Sequence, residues 1–206
     1  MKFDPKVHTP PGHLRHRAST RLKGFDYSVD GAYFITLVTY HRAMLFGEIV
    51  DGNMQLNRRG EIVQEEWFRS TEIRKEIRLF ADEFVVMPNH IHGIVWIVDD
   101  ESSHNIIDTT KNDITNDVVG ANGRSPLHNQ PYIHMKPKSL GSFVAGFNSS
   151  VTKRIRDELN ETGIWQRNFH DRIIRNDREL DAVRNYIASN PGNWAEDNEN
   201  PIMEKR

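Results

Sequence analysis

The chain has 206 residues, of which 37% are hydrophobic, and a formal net charge of −2 at pH 7. This length and composition suit one well-buried core. Cysteine is absent, which excludes disulfides, thiolate metal sites and cysteine nucleophiles and favours a reducing compartment. The sequence has neither an apolar run long enough for a membrane span nor a signal-peptide core at its start. We therefore expect a cytoplasmic protein without membrane contact.

We expect one domain over residues 25–195, preceded by a flexible basic arm at 1–24 and followed by a tail at 196–206. The arm is rich in Pro, His and basic residues and has no apolar periodicity. Within the domain, residues 99–138 are dominated by polar residues and proline, which predicts a disordered insertion. Much of the acidic charge lies in this insertion, so a basic surface on the folded body is compatible with the net charge.

The pattern of apolar residues predicts the elements in chain order. Alternation predicts a first strand at 32–41, and turn residues at 51–53 predict a hairpin between 46–50 and 54–56. The remaining elements are a helix at about 58–70, a strand at 77–87, an antiparallel strand at 90–98 after Pro88, a helix from the N-cap Ser139 to about 159, and a last helix from Asn176 to the Asn190-Pro191 pair.

His90 and His92 stand at the start of the strand predicted at 90–98. Alternate side chains of a strand project from one face, so the two imidazoles would lie roughly 7 Å apart at a spacing suited to metal binding. A pair of this kind is expected by chance in about one of two sequences with ten histidines in 206 residues. The pair alone therefore also fits two half-exposed strand histidines.

Tyr186 and Asn190 lie four residues apart, on one face of the last helix. Together with His90 and His92, an amide oxygen would complete a mixed nitrogen and oxygen shell that leaves positions open for phosphate oxygens on a divalent cation. A tyrosine one turn away could attack that phosphate. Alternatively, Tyr186 is an amphipathic residue that flanks the core. The sequence does not identify a base for the phenol proton.

Lys153, Arg154 and Arg156 cluster near the end of the helix predicted at 139–159. These cations could complement the helix C-terminus or contact phosphates, and the sequence leaves both interpretations open. The segment that follows contains Trp165-Gln166-Arg167-Asn168-Phe169, which is more aromatic and basic than an ordinary linker.

Four motifs occur in order along the chain: Arg21-Leu22-Lys23-Gly24-Phe25-Asp26-Tyr27, Met87-Pro88-Asn89-His90-Ile91-His92-Gly93, Trp165-Gln166-Arg167-Asn168, and Arg184-Asn185-Tyr186-Ile187-Ala188-Ser189-Asn190-Pro191. Together they resemble the REP-associated tyrosine transposases, a branch of the single-tyrosine HUH transposases. The match covers most of residues 20–202. It implies an α+β fold with a ferredoxin-like or RRM-like antiparallel sheet and helices packed mainly on one face.

The resemblance implies that His90 and His92 are the metal ligands, that Asn190 occupies the third-ligand position and that Tyr186 is the nucleophile. It implies Mg²⁺ or Mn²⁺ as cofactor and cleavage and rejoining of single-stranded DNA near hairpins or palindromic repeats through a 5′-phosphotyrosine intermediate. We expect a monomer or homodimer. The residues predicted to bind DNA are Arg21, Lys23, Lys153, Arg154, Arg156 and Arg167.

The sequence departs from the family at 169–172, where Phe-His-Asp-Arg stands in place of a frequent Tyr-Tyr-Glu-His. Two alternatives to the transposase hypothesis remain at this stage. One is a catalytically inactive, domesticated module that binds hairpin DNA or RNA. The other is an unrelated metal hydrolase with water as nucleophile, which would tolerate Tyr186→Phe.

Overall fold

The computed structural model describes residues 22, 24–98, 136–197 and 199–201. The predicted arm at 1–24 and insertion at 99–138 fall almost entirely outside these residues, and most of the tail does too. Arg21 and Lys23 also lie outside them. Within the described ranges, no helix combines the length and the apolar character that crossing a membrane requires.

The described chain forms seven strands and three α-helices. The strands are β1 (Gly31–Val38), β2 (Gly47–Val50), β3 (Asn53–Leu56), β4 (Ile77–Arg78), β5 (Phe84–Val86), β6 (His90–Ile97) and β7 (His170–Ile174). The helices are α1 (Arg58–Ile73), α2 (Leu140–Leu159) and α3 (Asp177–Ser189). All three predicted helices are therefore confirmed, and α1 runs three residues beyond its predicted end.

The main sheet is antiparallel, with the order β4-β6-β1-β7, and β5 pairs with β6 on the same side as β4. With α1 and α2 between the strands, this order is that of a ferredoxin-like fold, so the predicted α+β fold class is confirmed. The strands β2 and β3 form a separate hairpin. Its turn residues Asp51 and Gly52 both have positive φ, as the predicted turn requires.

One face of the sheet carries the larger core beneath α1 and α2. On β1 and β6 its residues are Tyr33, Ile35, Leu37, Ile91, Val95 and Ile97. Trp67 of α1 lies over Gly93, where an added Cβ would come within 2.5 Å of the indole ring. The same indole stacks on Phe84 of β5 at 4.5 Å between ring centroids. The glycine after the two histidines thus makes room for the helix on the far side of the sheet.

The opposite face of the sheet packs against α3. Leu180, Val183 and Ile187 of the helix form a smaller cluster with Ala32 of β1 and Ile94 of β6. Because side chains alternate along a strand, the even-numbered residues of β6 project toward this face. Two of the three helices therefore cover one face, while the helix that carries the candidate tyrosine lies on the face of the histidines.

The strands differ from the sequence predictions at two places. The strand predicted at 77–87 is interrupted after Arg78 by a 3₁₀ turn at Ala81–Glu83. This turn brings the fully buried Glu83 carboxylate beneath α3, where it accepts hydrogen bonds from Trp96 and Arg184. The strand β7 was not predicted, because it is a short edge strand with only partly buried apolar residues and pairs with β1 alone.

Candidate active site

The two histidines lie in the middle of the fold, at the start of β6. His90 pairs with Val38 and His92 with Thr36 on the neighbouring strand β1. Both side chains are buried, and their Nε2 atoms face each other at 3.0 Å. The strand spacing that suggested a metal site therefore brings two imidazole nitrogens to one point.

Asp197 completes a group of three candidate ligands. One of its carboxylate oxygens lies 3.8 Å from His90 Nε2, and the ligand atoms of the three residues all lie within 4.8 Å of one another. Asp197 follows a turn that begins at Pro191 and a short 3₁₀ helix, Trp194–Glu196. The Trp194 ring lies 5.9 Å from the His90 ring, so the end of the described chain folds back over the histidines.

Asn89 determines which nitrogen of His90 carries the proton. Its Nδ2 donates hydrogen bonds to the backbone carbonyls of Arg42 and Glu199, at 3.2 and 2.7 Å. Since carbonyl oxygens only accept, this fixes the amide orientation and turns Oδ1 toward His90 Nδ1 at 2.8 Å. The imidazole must therefore donate from Nδ1. In the neutral ring this leaves the Nε2 lone pair free for a metal ion.

Thr36 is the hydrogen-bond partner of His92 Nδ1. Its hydroxyl lies 2.9 Å from His92 Nδ1. Because a hydroxyl both donates and accepts, it can pair with either tautomer of the imidazole. Without a cation, His92 can donate from Nε2 to His90 while Nδ1 accepts from Thr36. With a cation, Nδ1 can donate to Thr36 and leave Nε2 as a ligand.

Burial keeps both imidazoles neutral. Desolvation, with a contribution from the Arg42 charge, lowers the pKa of His90 to about 3. The pKa of His92 also lies well below 6.5, first because of burial and second because of His90, and Asp197 opposes the shift. Neutral imidazole is the form that binds metal ions, so the histidines need no deprotonation at pH 7.

Tyr186 places its hydroxyl 3.2 Å from His92 Nε2. Its ring packs edge-on against Phe34, with centroids 6.0 Å apart, while 45% of the residue stays exposed. Burial raises the pKa of the phenol, and the Asp197 charge raises it further, whereas a hydrogen bond with Asn190 lowers it. The hydroxyl is thus accessible to a substrate and adjacent to the candidate ligands.

Asn190 follows the last residue of α3 with helical backbone angles, one turn after Tyr186. The residue is only 3% exposed, and its side-chain oxygen has no hydrogen-bond partner among the described residues. A buried amide oxygen without a partner is costly unless an ion, water or ligand satisfies it. The two imidazoles and the Asp197 carboxylate could hold a metal ion, and Asn190 lines the same cavity as His92 and Asp197.

Several of these side chains line one open cavity of about 500 Å³. It is lined by Phe34, Thr36, His92, His170, Tyr186, Asn190, Asn193, Glu196, Asp197 and Glu199. Three of the four residues that the sequence analysis assigned to metal binding and catalysis thus line the cavity, and the fourth, His90, contacts His92 behind it. Sequence reasoning missed Asp197 as a candidate ligand, because its only signal is a carboxylate that follows Asn190 beyond a Pro-Gly turn.

Of the cations predicted to bind DNA, the four that lie in the described part of the chain do not line this cavity. Lys153, Arg154 and Arg156 belong to α2, which covers the other face of the sheet. Arg154 forms ion pairs with Glu65 and Glu66 of α1 and with Glu158 one turn along α2, so it joins the two helices. Lys153 and Arg156 each pair with Asp157. Arg167 is exposed in the segment that leads to β7.

The comparisons with known proteins agree with this architecture. No family model matches the chain. An uncharacterized protein of Haemophilus influenzae is 32% identical over 189 residues, which cover 89% of this chain and 93% of that protein. The chain belongs to the family of that protein.

Among solved structures, a REP-associated tyrosine transposase bound to a REP hairpin aligns with 83% of this chain and 72% of its own, at a TM-score of 0.50 and 16% identity. This family member thus shares the fold of a tyrosine transposase, as the sequence motifs led us to expect.

Proposed function

We propose that the protein cleaves and rejoins single-stranded DNA through a transient covalent bond to Tyr186. The observation that carries the proposal is the position of the Tyr186 hydroxyl, 3.2 Å from His92 Nε2, in a cavity that two of the three candidate metal ligands, His92 and Asp197, also line. A tyrosine that only flanked the core would not need to place its hydroxyl beside two buried, neutral imidazoles while 45% of the residue stays exposed. The distance suits a nucleophile that acts next to a bound cation.

In this proposal His90, His92 and Asp197 hold a divalent cation, and Asn190 adds its unpartnered amide oxygen. The bound cation would supply Lewis-acid stabilisation of the charge on the scissile phosphate. Asn89 fixes the His90 tautomer whose Nε2 lone pair is free for the ion, and the Thr36 hydroxyl can accept from His92 Nδ1 so that His92 Nε2 is free as well. Mg²⁺ and Mn²⁺ both fit the donor set, which contains no sulfur.

The covalent step exchanges one phosphoester for another. The Tyr186 oxygen attacks phosphorus, the bond from phosphorus to the 3′ oxygen breaks, and the fragment downstream of the break stays attached to Tyr186 through its 5′ phosphate. The phenol loses one proton and the departing 3′ oxygen gains one, so the step needs no water and consumes no cofactor. Attack by a 3′ hydroxyl on the phosphotyrosine reverses the exchange and joins two DNA strands.

The proposed substrate is single-stranded DNA that carries a hairpin. Support comes from the fold shared with a transposase whose structure contains a REP hairpin. The open cavity also suits a flexible strand, because more than one nucleotide can approach Tyr186 from solvent.

The test is formation of a covalent adduct. Purified protein is incubated with Mn²⁺ and labelled hairpin DNA that has single-stranded flanks, and denaturing electrophoresis followed by peptide mapping locates the nucleotide. We expect an adduct on Tyr186 that is absent in Tyr186→Phe, which should still bind the DNA. Tyr40→Phe is the matched control, because Tyr40 is the other tyrosine with an exposed side chain among the described residues.

Three outcomes would contradict the proposal, each in a different way. DNA binding without any cleavage would identify a binding module. Cleavage without an adduct, retained in Tyr186→Phe, would identify a hydrolase that activates water. An adduct on a tyrosine other than Tyr186 would keep the reaction class and overturn the assignment of the nucleophile.

A further inference from the structure

The turn after β1 exposes a pair of aromatic rings. Tyr40 is 54% exposed, and its ring contacts the His41 ring at a tilt of 55°, with centroids 3.9 Å apart. The strand before this turn pairs Val38 with His90, so Tyr40 stands two residues beyond the histidine end of the site.

This turn is held in an unusual backbone conformation. His41 and Arg42 have φ values of 55° and 53°, and two consecutive non-glycine residues in the left-handed region are strained. Surrounding contacts keep the strain in place: Asn89 donates to the Arg42 carbonyl, and the Thr39 hydroxyl donates to the Ala43 carbonyl at 2.8 Å. The backbone that carries the two exposed rings is therefore held in place before any ligand binds.

The turn is also tied to the wall of the cavity. The Arg42 guanidinium pairs with the Glu199 carboxylate at 3.0 Å, and Glu199 lines the cavity. Asn89 joins the same parts through its amide, since it contacts Arg42, Glu199 and His90 at once. A group that rests on the Tyr40 ring thus has a defined position relative to the candidate ligands.

We infer that Tyr40 and His41 form a stacking platform for an unpaired base of the nucleic acid whose backbone enters the cavity. The inference rests on the proposed function, which supplies a single-stranded substrate. An exposed, pre-ordered aromatic ring suits this ligand because every base has a π face, and stacking tolerates any sequence. The platform would hold the strand on the His90 side, while Tyr186 acts on the His92 side.

The test is binding of single-stranded DNA by fluorescence anisotropy. Tyr40→Ala should weaken affinity about ten-fold, in the range reported for loss of one stacking ring, whereas Tyr40→Phe should bind like wild type. Phe80→Ala is the matched control: Phe80 is 49% exposed and packs on Trp96, near the other end of β6, so its loss should leave affinity unchanged. Mn²⁺ affinity should be equal in all variants, which shows an intact site.

Abasic substitutions scanned along the DNA then locate the contact. When the abasic site replaces the base that stacks on Tyr40, the affinity of wild type for the DNA should fall. Wild type and Tyr40→Ala should then bind this DNA with equal affinity. Two results would contradict the inference while wild type still forms its Tyr186 adduct. One is a DNA affinity of Tyr40→Ala within about two-fold of the wild-type affinity. The other is that no abasic position makes the two affinities equal. If wild type neither binds single-stranded DNA nor forms an adduct, the proposed function and the platform fail together.

Discussion

Arg184 donates two hydrogen bonds, from Nε and Nη2, to a single oxygen of Glu83, at 2.9 and 2.6 Å. The other carboxylate oxygen accepts from the Trp96 indole at 2.6 Å. Glu83 is fully buried, so its charge depends on these partners. Because Arg184 precedes Tyr186 by two residues, the ion pair ties the helix of the candidate nucleophile to the sheet.

Arg184→Ala should lower the free energy of unfolding by about 3–5 kcal/mol, since it leaves a buried carboxylate without its cation. Denaturant unfolding measures this change. Arg178→Ala is the control on the same helix, and with an exposed side chain it should stay within about 0.5 kcal/mol of wild type. Equal effects of the two substitutions would show that the ion pair does not anchor α3.

Thr36→Val should weaken Mn²⁺ binding by about ten- to a hundred-fold, because His92 Nδ1 loses the partner that orients the ring. Thr36→Ser keeps the hydroxyl and should bind Mn²⁺ almost like wild type. Titration monitored by electron paramagnetic resonance gives both affinities without any DNA. Wild-type affinity in the valine variant would remove Thr36 from the site.

Asp197→Asn should weaken Mn²⁺ binding by about ten-fold or more, because ligand charge is a main determinant of affinity for hard cations. Glu196→Gln removes the same charge from an exposed neighbour and serves as the control. Asn190→Ala should weaken binding without a change in charge and should slow adduct formation on the same tyrosine. If Asp197→Asn and Glu196→Gln lower the Mn²⁺ affinity equally, the negative charge of the segment would matter and direct ligation by Asp197 would not.

Acidification should destabilise the metal-free protein. The unfolded chain takes up protons on His90 and His92 below about pH 6.5, whereas the folded chain resists protonation because burial lowers both pKa values, that of His90 to about 3. The unfolded state then binds more protons, so the free energy of unfolding falls by about 1.4 kcal/mol per pH unit for each histidine between pH 6.5 and the folded pKa.

Denaturant unfolding at pH 7 and pH 5 checks this expectation. The decrease between the two pH values should be smaller in His90→Asn than in wild type, since that variant has one buried imidazole fewer. His170→Asn should show the wild-type decrease, because His170 is exposed. A pH dependence that His90→Asn leaves unchanged would contradict the neutral buried state of His90.

Elements with strong periodicity could be predicted from sequence alone. The helices follow apolar stripes. Ser139 and Asn176 cap the starts of α2 and α3 with their side chains, and Asn190 stands at the end of α3, as expected. The interruption of the strand after Arg78 could not be predicted. It allows Glu83 to contact Arg184, and these two residues are 101 positions apart in the sequence. An apolar pattern is local, whereas such a contact depends on the whole fold.

The candidate site divides in the same way. His90 with His92, and Tyr186 with Asn190, are local pairs whose spacing predicts a shared face. Asp197 reaches the histidines only through the turn after Asn190, and no periodic pattern records a turn of this kind. For the cations of α2 the sequence prediction lacked the tertiary contacts. Their position predicted a DNA surface, but the sequence could not show that Arg154 pairs with Glu65 and Glu66 of α1. Their DNA contact stays a prediction.

The position of Asp197 separates the fold from the proposed chemistry. The strands and helices that form the sheet and both apolar clusters lie before residue 190. Asp197 therefore belongs to a segment that supplies a candidate ligand but no part of the sheet or of the two clusters. A chain truncated ahead of Trp194 should keep its fold and lose one of the three candidate ligands.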